Sequence, residues 1–270
     1  MAPSSKLGMH RALKALATLA LVALANPSRA GVCGGRGLLV QFPGDIKQIP
    51  RNAHLLVEAD PDFAALLEPA STTIAFTSAG ASIPAKVVKD LLGGYTGRSR
   101  QLLIAPLTEL SPNTSYHLTF RAASGVVDAD RQKLLAEINL SSERWYGFST
   151  LEQQDDTVVS WRHAPTAGGY FYSIDHGGIF ENTVEVHLPL GKRTLGYVLV
   201  HAENKTRPDR AYDAIFPVST ESSRVGQISC SSIFIPLRRS LYSVRVTAIS
   251  FSGKETPAPG KALALWFENG

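Results

Sequence analysis

The chain has 270 residues, 44% of them hydrophobic and 19% charged, with 27 Lys and Arg against 23 Asp and Glu. That apolar fraction excludes a disordered or collagen-like chain, and the scarcity of long apolar runs excludes a polytopic membrane protein. Two cysteines are too few for a disulfide-dense miniature scaffold or a multi-cysteine zinc module.

Residues 1–30 have the make-up of a secretory signal peptide. Lys6, His10, Arg11 and Lys14 form a basic start, Ala15 to Ala25 is an unbroken run of Ala, Leu, Val and one Thr, and Ser28-Arg29-Ala30 places small residues around a cleavage position. As a helix that run spans only about 16 Å against a hydrocarbon core of about 30 Å, so no stable membrane span is expected after cleavage. Cys33 follows Ala30-Gly31-Val32, which lacks the leucine of a lipoprotein signal. The segment carries Lys6, Arg11, Lys14 and Arg29 and no acid, so 27 − 4 = 23 basic residues remain against 23 acidic ones. The mature net charge is therefore zero, and the sequence pI near 9.1 comes from the targeting segment. Nothing after it forms the clustered basic face that a nucleic-acid binder needs. The expected location is periplasmic, cell-surface or extracellular. In an oxidising compartment Cys33 and Cys230 are expected to pair, fastening the mature N-terminus to the second half of the chain.

Along the mature chain, short strands alternate with turn residues and strong long helices are not expected. Asp60-Pro61-Asp62-Phe63-Ala64-Ala65-Leu66-Leu67 has a cap, a first-turn proline and helix formers before Pro69, which predicts one or two helical turns. Ile74 and Phe76 alternate with threonines; Ile83 to Leu92 fits a strand better than a helix; Gly93 to Gly97 supplies turn chemistry. Leu102 to Ile104 runs into Pro106, and Tyr116, Leu118 and Phe120 keep period two. The polar run Leu151-Glu152-Gln153-Gln154-Asp155-Asp156 marks a boundary. Beyond it, strands are expected at Val158–Trp161, Tyr170–Tyr172, Thr183–Leu188, Tyr197–His201, Ile233–Ile235, Tyr242–Ile249 and Ala262–Phe267. The fold class is all-β: a signal peptide (1–30), a β-sandwich (31–150), a linker (151–156) and a second β-sandwich (157–270).

The first half resembles the bacterial Ig-like domain of surface-layer and other exported proteins. The resemblance lies in Ile49-Pro50-Arg51-Asn52, Leu110-Ser111-Pro112-Asn113-Thr114-Ser115-Tyr116, Val127-Asp128-Ala129-Asp130 and Phe148-Ser149-Thr150. In the Leu-x-Pro-x-x-x-Tyr stretch the turn residues reverse the chain, and the tyrosine hydroxyl can bond back to the turn backbone as a tyrosine corner. Where the family usually has a glycine and an asparagine, this chain has Asp130-Arg131-Gln132. The second half resembles a fibronectin type III or related Ig-like sandwich. Thr157-Val158-Val159-Ser160-Trp161 resembles its second strand with the core tryptophan, Gly169 to Ile174 its third, and Tyr242 to Ile249 with Gly253 and Pro257 its penultimate strand and hairpin. The interval from Asp175 to Pro236 is longer than that family has.

No catalytic signature emerges. The mature histidines, His54, His117, His163, His176, His187 and His201, are dispersed, without a zinc-protease spacing or the cysteine half of a deaminase motif. Asp128 and Asp130 lack the rest of a calcium loop and are expected in an acidic turn. There is no Gly-x-Ser-x-Gly elbow, and Gly93-Gly94-Tyr95-Thr96-Gly97-Arg98 lacks the ending of a phosphate cradle. Asn113, Asn139 and Asn204 each begin an Asn-x-Ser/Thr triplet. The candidate ligand contacts are Tyr170 and Tyr172. If Phe171 points into the core, period-two geometry turns both rings outward, where they can stack on a sugar or grip a peptide; in the fibronectin-like register they face inward instead. The expected function is a non-enzymatic exported binding or structural module, without cofactor, metal or nucleic acid, whose partner is an envelope protein or polysaccharide. The alternative is a carbohydrate-binding or accessory subunit of an extracellular enzyme.

Overall fold

A computed structural model describes residues 38–43, 46–59, 63–93, 99–123, 128–174, 180–191, 196–218, 222–228, 236–237 and 239–268. The signal-peptide segment, Cys33 and Cys230 with their expected disulfide, His176, and the strand expected at Ile233–Ile235 lie outside these residues. Strands dominate what is described. No helix among the described residues is long and apolar enough to cross a membrane.

The first half contains β1 (Leu38–Gln41), β2 (Gln48–Ile49), β3 (Leu55–Ala59), a 3-10 turn (Ala64–Leu67), β4 (Thr72–Thr77), β5 (Ser82–Gly93), β6 (Ser99–Pro106), β7 (Ser115–Ala122), α1 (Ala129–Trp145) and β8 (Phe148–Thr150). Their order is β1-β3-β6-β5-β4-β7-β8-β2. Strand β5 makes the turn between layers: Ser82–Pro84 pair with β4, and the rest pairs with β6 across a register shift at Val87/Lys89. A shift of that kind bends and twists a strand. The layers enclose Leu55, Val57, Phe76, Ile104, Leu118, Phe120 and Phe148, and Tyr116 stacks on Phe148 with ring centroids 6.1 Å apart.

Helix α1 departs from the expectation that no long helix occurs and that Asp128 and Asp130 form a turn. The Asp128 carboxylate is an N-cap, with Oδ1 accepting the N–H groups of Asp130 at 3.0 Å and Arg131 at 3.1 Å. Helix formers follow, yet only a narrow stripe of Leu135, Ile138 and Ser142 is buried. That narrowness hides the helical period in the sequence. The helix also completes a strand edge. Because β8 pairs with β7 only at Ser115 and Tyr116, the backbone of Phe120 would otherwise face outward. Asn139 brackets it, Oδ1 accepting the Phe120 N–H at 2.7 Å and Nδ2 donating to its carbonyl at 2.9 Å. Asp128→Ala is expected to lower stability by about 1 kcal/mol in urea unfolding, the usual loss of an N-cap acceptor.

The second half contains β9 (Thr166–Ile174), β10 (Phe180–His187), β11 (Gly196–Asn204), β12 (Ala211–Pro217), β13 (Ser222–Ile228), β14 (Ser240–Ser250), β15 (Glu255–Pro257) and β16 (Leu263–Phe267). One sheet runs β13-β10-β9; the other runs β12-β11-β14-β15, with β16 also on β14. Val184, Val186 and Val225 from the first sheet meet Val198, Val200, Tyr242, Val244 and Leu265 from the second. The strand expected at Val158–Trp161 does not form; Trp161 makes a single bridge to Leu190. Its indole N–H donates to the Thr256 carbonyl at 3.0 Å, and its ring packs against the second core. The tryptophan therefore holds a loop onto the sandwich instead of lying within a strand.

Candidate functional site

The first feature that positions surfaces is a seam between the halves. The outer face of β3 and β6 brings Leu56 and Leu103 against Tyr197, Ile215 and Ile249 of the second half, all buried. This explains why Leu55-Leu56-Val57 and Leu102-Leu103-Ile104 are continuous apolar runs: both faces of those strands are covered.

Polar groups in the seam are specific. Gln101, 0% exposed, accepts the Ile215 N–H at 2.8 Å and donates to the Ile215 carbonyl at 2.9 Å. Its amide thereby satisfies the outer edge of β12 as another strand would. The same nitrogen lies 3.0 Å from Glu58 Oε2, to which Gln41 donates at 2.6 Å. The Tyr197 hydroxyl lies 3.2 Å from the carbonyls of both Gln41 and His54, and burial pushes this phenol above its ordinary titration range. The His54 N–H donates to the Phe251 carbonyl at 2.6 Å. Burial, aided by the Lys86 charge, lowers the His54 imidazole to about 4. Gly253, at φ +79°, lies where a Cβ would collide with that ring, so only glycine admits the close approach.

The polar run expected as a linker at 151–156 is a strap. Asn52 and Asp155 exchange bonds, Nδ2 to the Asp155 carbonyl at 3.0 Å and the Asp155 N–H to Oδ1 at 2.8 Å. The Asp155 carboxylate then accepts the Ser252 N–H at 3.1 Å. Gln154 bonds to Glu109, and Lys254 donates to the Asp156 carbonyl at 2.9 Å. Its one apolar residue, Leu151, is exposed, and the segment ties both halves together through these polar bonds. An ion pair from Lys89 to Glu255, at 2.9 Å, crosses the same junction.

The two tyrosines singled out in the sequence lie on β9. Tyr170 is half-buried against the second core, with its hydroxyl 3.1 Å from Asn182 Oδ1, while Tyr172 is 43% exposed. Phe171 points to the opposite face, where the Arg224 guanidinium lies 4.6 Å from its ring centroid and is paired with Glu181 at 2.5 Å. The rings of Tyr170 and Tyr172 thus share the inward-facing register, with Tyr170 half-buried and Tyr172 the more exposed of the two. Alternation identified their common face; which of the two faces was covered depended on the partner sheet.

The described histidines sit apart on different elements. His117 is on β7, His163 bonds to the Ala164 carbonyl, and His187 lies 4.0 Å from Glu185. His201 stands between two carboxylates, Nδ1 2.8 Å from Asp213 Oδ1 and Nε2 3.2 Å from Glu203 Oε1. The Asp213 bond, with Glu203 assisting, raises its pKa above the ordinary value. Of the Asn-x-Ser/Thr asparagines, Asn139 is committed to β7, and buried Asn204 accepts from Thr206 and Arg207. Among the described residues no group of three or more His, Cys, Asp or Glu is arranged to hold a metal ion.

No family model matches the chain. No curated protein matches it. Among solved structures, it is similar to the type I pullulanase of Bacillus subtilis strain 168 complexed with maltose, at 9% identity and a TM-score of 0.23. The match covers 82% of this chain and 25% of that one, so the chain spans about a quarter of that neighbour's length.

Proposed function

We propose that the chain is a non-enzymatic exported module of two Ig-like sandwiches in series, held as one rigid body to present binding surfaces in the cell envelope or outside the cell. The seam centred on Gln101 and Ile215 carries this reading. Its buried polar groups bond across the junction, which suits fixed spacing of surfaces and opposes the opening of a cleft between the halves.

Strand order supports the two sandwiches. In chain order β1, β3, β4, β5, β6, β7 and β8 can be lettered A to G, which makes β1-β3-β6-β5 the A-B-E-D sheet and β4-β7-β8 the C-F-G sheet of an Ig-like domain. Helix α1 is then an insertion between strands F and G. The second half pairs β9-β10-β13 as A-B-E and β12-β11-β14-β16 as a C-strand extension with C, F and G.

The same local corner recurs in both halves. The Ser111 N–H donates to the Tyr116 hydroxyl at 3.1 Å, and the Leu237 N–H donates to the Tyr242 hydroxyl at 3.0 Å. Three residues before each tyrosine stands a positive-φ residue, Asn113 or Arg239, both at 50°. Both tyrosines are buried at the start of the F-equivalent strand. Each of Tyr116→Phe and Tyr242→Phe is expected to lower stability by about 1 kcal/mol in urea unfolding, the net worth of one such bond. Arg239→Gly is expected to raise it, because an L side chain at that φ carries a steric cost that glycine lacks.

Affinity capture tests the function. The full tagged protein, recovered from mildly crosslinked cells that make it, is expected to retain a defined envelope protein or polysaccharide, with retention reduced by a substitution at one exposed face, Tyr172→Ala or Trp266→Ala. Retention of nothing above background, or turnover of an ester, glycoside or peptide substrate by the purified protein, overturns the reading. The second form of the reading, a carbohydrate-binding accessory subunit, is favoured by the exposed indole of Trp266.

A further inference from the structure

An indole that packs away typically buries on the order of 150–250 Å². Trp266 leaves 49% of its surface exposed although it lies on regular β16. Its strand neighbours Leu265 and Phe267 fill the core, so its ring stands on the outer face of the five-stranded sheet.

Cross-strand register defines what shares that face. Trp266 lies opposite Leu241, Ala264 opposite Ser243, Ser243 opposite Glu203, and Glu203 opposite Ala211. In the next outward row Arg245, His201 and Asp213 lie side by side on β14, β11 and β12. Further along, Tyr197, Ile215 and Ile249 are covered by the first half. The open part is therefore a lane with an aromatic end, a floor of small side chains at Ala264, Ser243 and Ala211, and a polar ladder. From Leu241 to Arg245 it runs roughly 13 Å at the strand rise.

The ladder is organised to bond outward. His201 engages one oxygen of Asp213 and one of Glu203. Both ring nitrogens face carboxylates, so both act as donors and fix the two acids in place. The second oxygen of each, and the guanidinium of Arg245, make no hydrogen bond among the described residues. Charges of both signs alternate on this face, Glu203 and Asp213 standing among His201, Arg245 and Lys205, whose backbone N–H donates to the Leu241 carbonyl at 2.9 Å. Such interleaved donors and acceptors suit a neutral polyol, while the two carboxylates oppose an anionic polymer. Apolar area is confined to the indole and Leu241, too little for the desolvated centre of a stable protein interface.

The geometry points to this face as a binding site for a neutral oligosaccharide, with Trp266 stacked on a sugar ring and Glu203, Asp213 and Arg245 bonding its hydroxyls. This rests on the binding-module reading and names the ligand class of that module. Affinity electrophoresis of the full protein tests it, in gels containing pullulan, laminarin, xyloglucan or galactomannan, with alginate and hyaluronan as anionic polymers. Retardation is expected in at least one neutral gel and in neither anionic gel. Trp266→Ala is expected to weaken the interaction at least tenfold at unchanged melting temperature, and Trp266→Tyr to restore most of it. Absence of retardation in every neutral gel, preference for an anionic polymer, or equal retardation of Trp266→Ala overturns the inference. Capture of an envelope protein that Trp266→Ala does not affect leaves the module and removes the glycan; failure of both experiments removes both.

Discussion

Replacing Gln101 with alanine is expected to lower the unfolding free energy by about 3–5 kcal/mol, since each buried polar group left unpaired costs about 1–3 kcal/mol. Two such groups are the N–H and carbonyl of Ile215, which is fully buried on the outer edge of β12. The third loss is a donor to Glu58, a carboxyl only 3% exposed. Gln101→Leu fills the volume without supplying any bond and is expected to recover only the packing part. Because the amide spans the seam, its removal is also expected to uncouple the halves. Urea unfolding followed by tryptophan fluorescence and by far-UV circular dichroism should then give transitions that no longer coincide. A loss below about 1 kcal/mol with coincident transitions would show that the apolar contacts of Leu56, Leu103, Tyr197, Ile215 and Ile249 hold the seam without the clamp.

The difference between what the sequence disclosed and what it concealed follows from the range of each signal. Strands such as Thr72–Thr77 and Ser115–Ala122 bury one face, so alternation revealed them. The corner at Tyr116 was legible because proline, asparagine and small polar residues fill its turn, whereas the same geometry at Tyr242 is carried by Arg239, which gives no turn signal. Helix α1 has too narrow an apolar stripe to show a period, and its cap at Asp128 resembles any acidic turn. The seam was hidden for a different reason. A glutamine in an apolar run, a glycine after a strand and a polar segment at 151–156 acquire meaning only when residues separated by about a hundred positions meet. The one local trace of the seam was the continuous burial pattern of β3 and β6. The outer lane beside Trp266 was concealed likewise, because register across β12, β11, β14 and β16 places its members.

Acidification is expected to destabilise the protein through His54 over a window that begins near pH 6.5, above the carboxylate range, and ends near 4, within it. The imidazole titrates at about 4 in the folded chain against 6.5 as its unperturbed value. Above pH 6.5 both states hold it neutral, and no proton linkage arises. Between 6.5 and 4 the unfolded chain takes up a proton that the folded chain refuses, so stability falls as pH falls; below 4 both states are charged and the loss is complete. A difference of that size corresponds to about 2–3 kcal/mol after allowance for partial solvent access. The loss arises from burial and from the Lys86 charge. Its Nδ1 is buried without a hydrogen-bond partner, and the ring abuts Gly253. Protonation would therefore add a second cation to a junction that offers that nitrogen no acceptor. His201 acts in the opposite sense: its raised pKa stabilises the folded chain at low pH, and that contribution disappears as pH rises through its folded value. His54→Phe keeps a ring in the seam and removes the titration. Unfolding free energies measured from pH 7.5 to 3.5 should fall more steeply for the natural chain than for this variant between 6.5 and 4. Parallel curves would assign acid sensitivity elsewhere, whereas a difference confined to that window would identify His54 as the group through which protons weaken the seam.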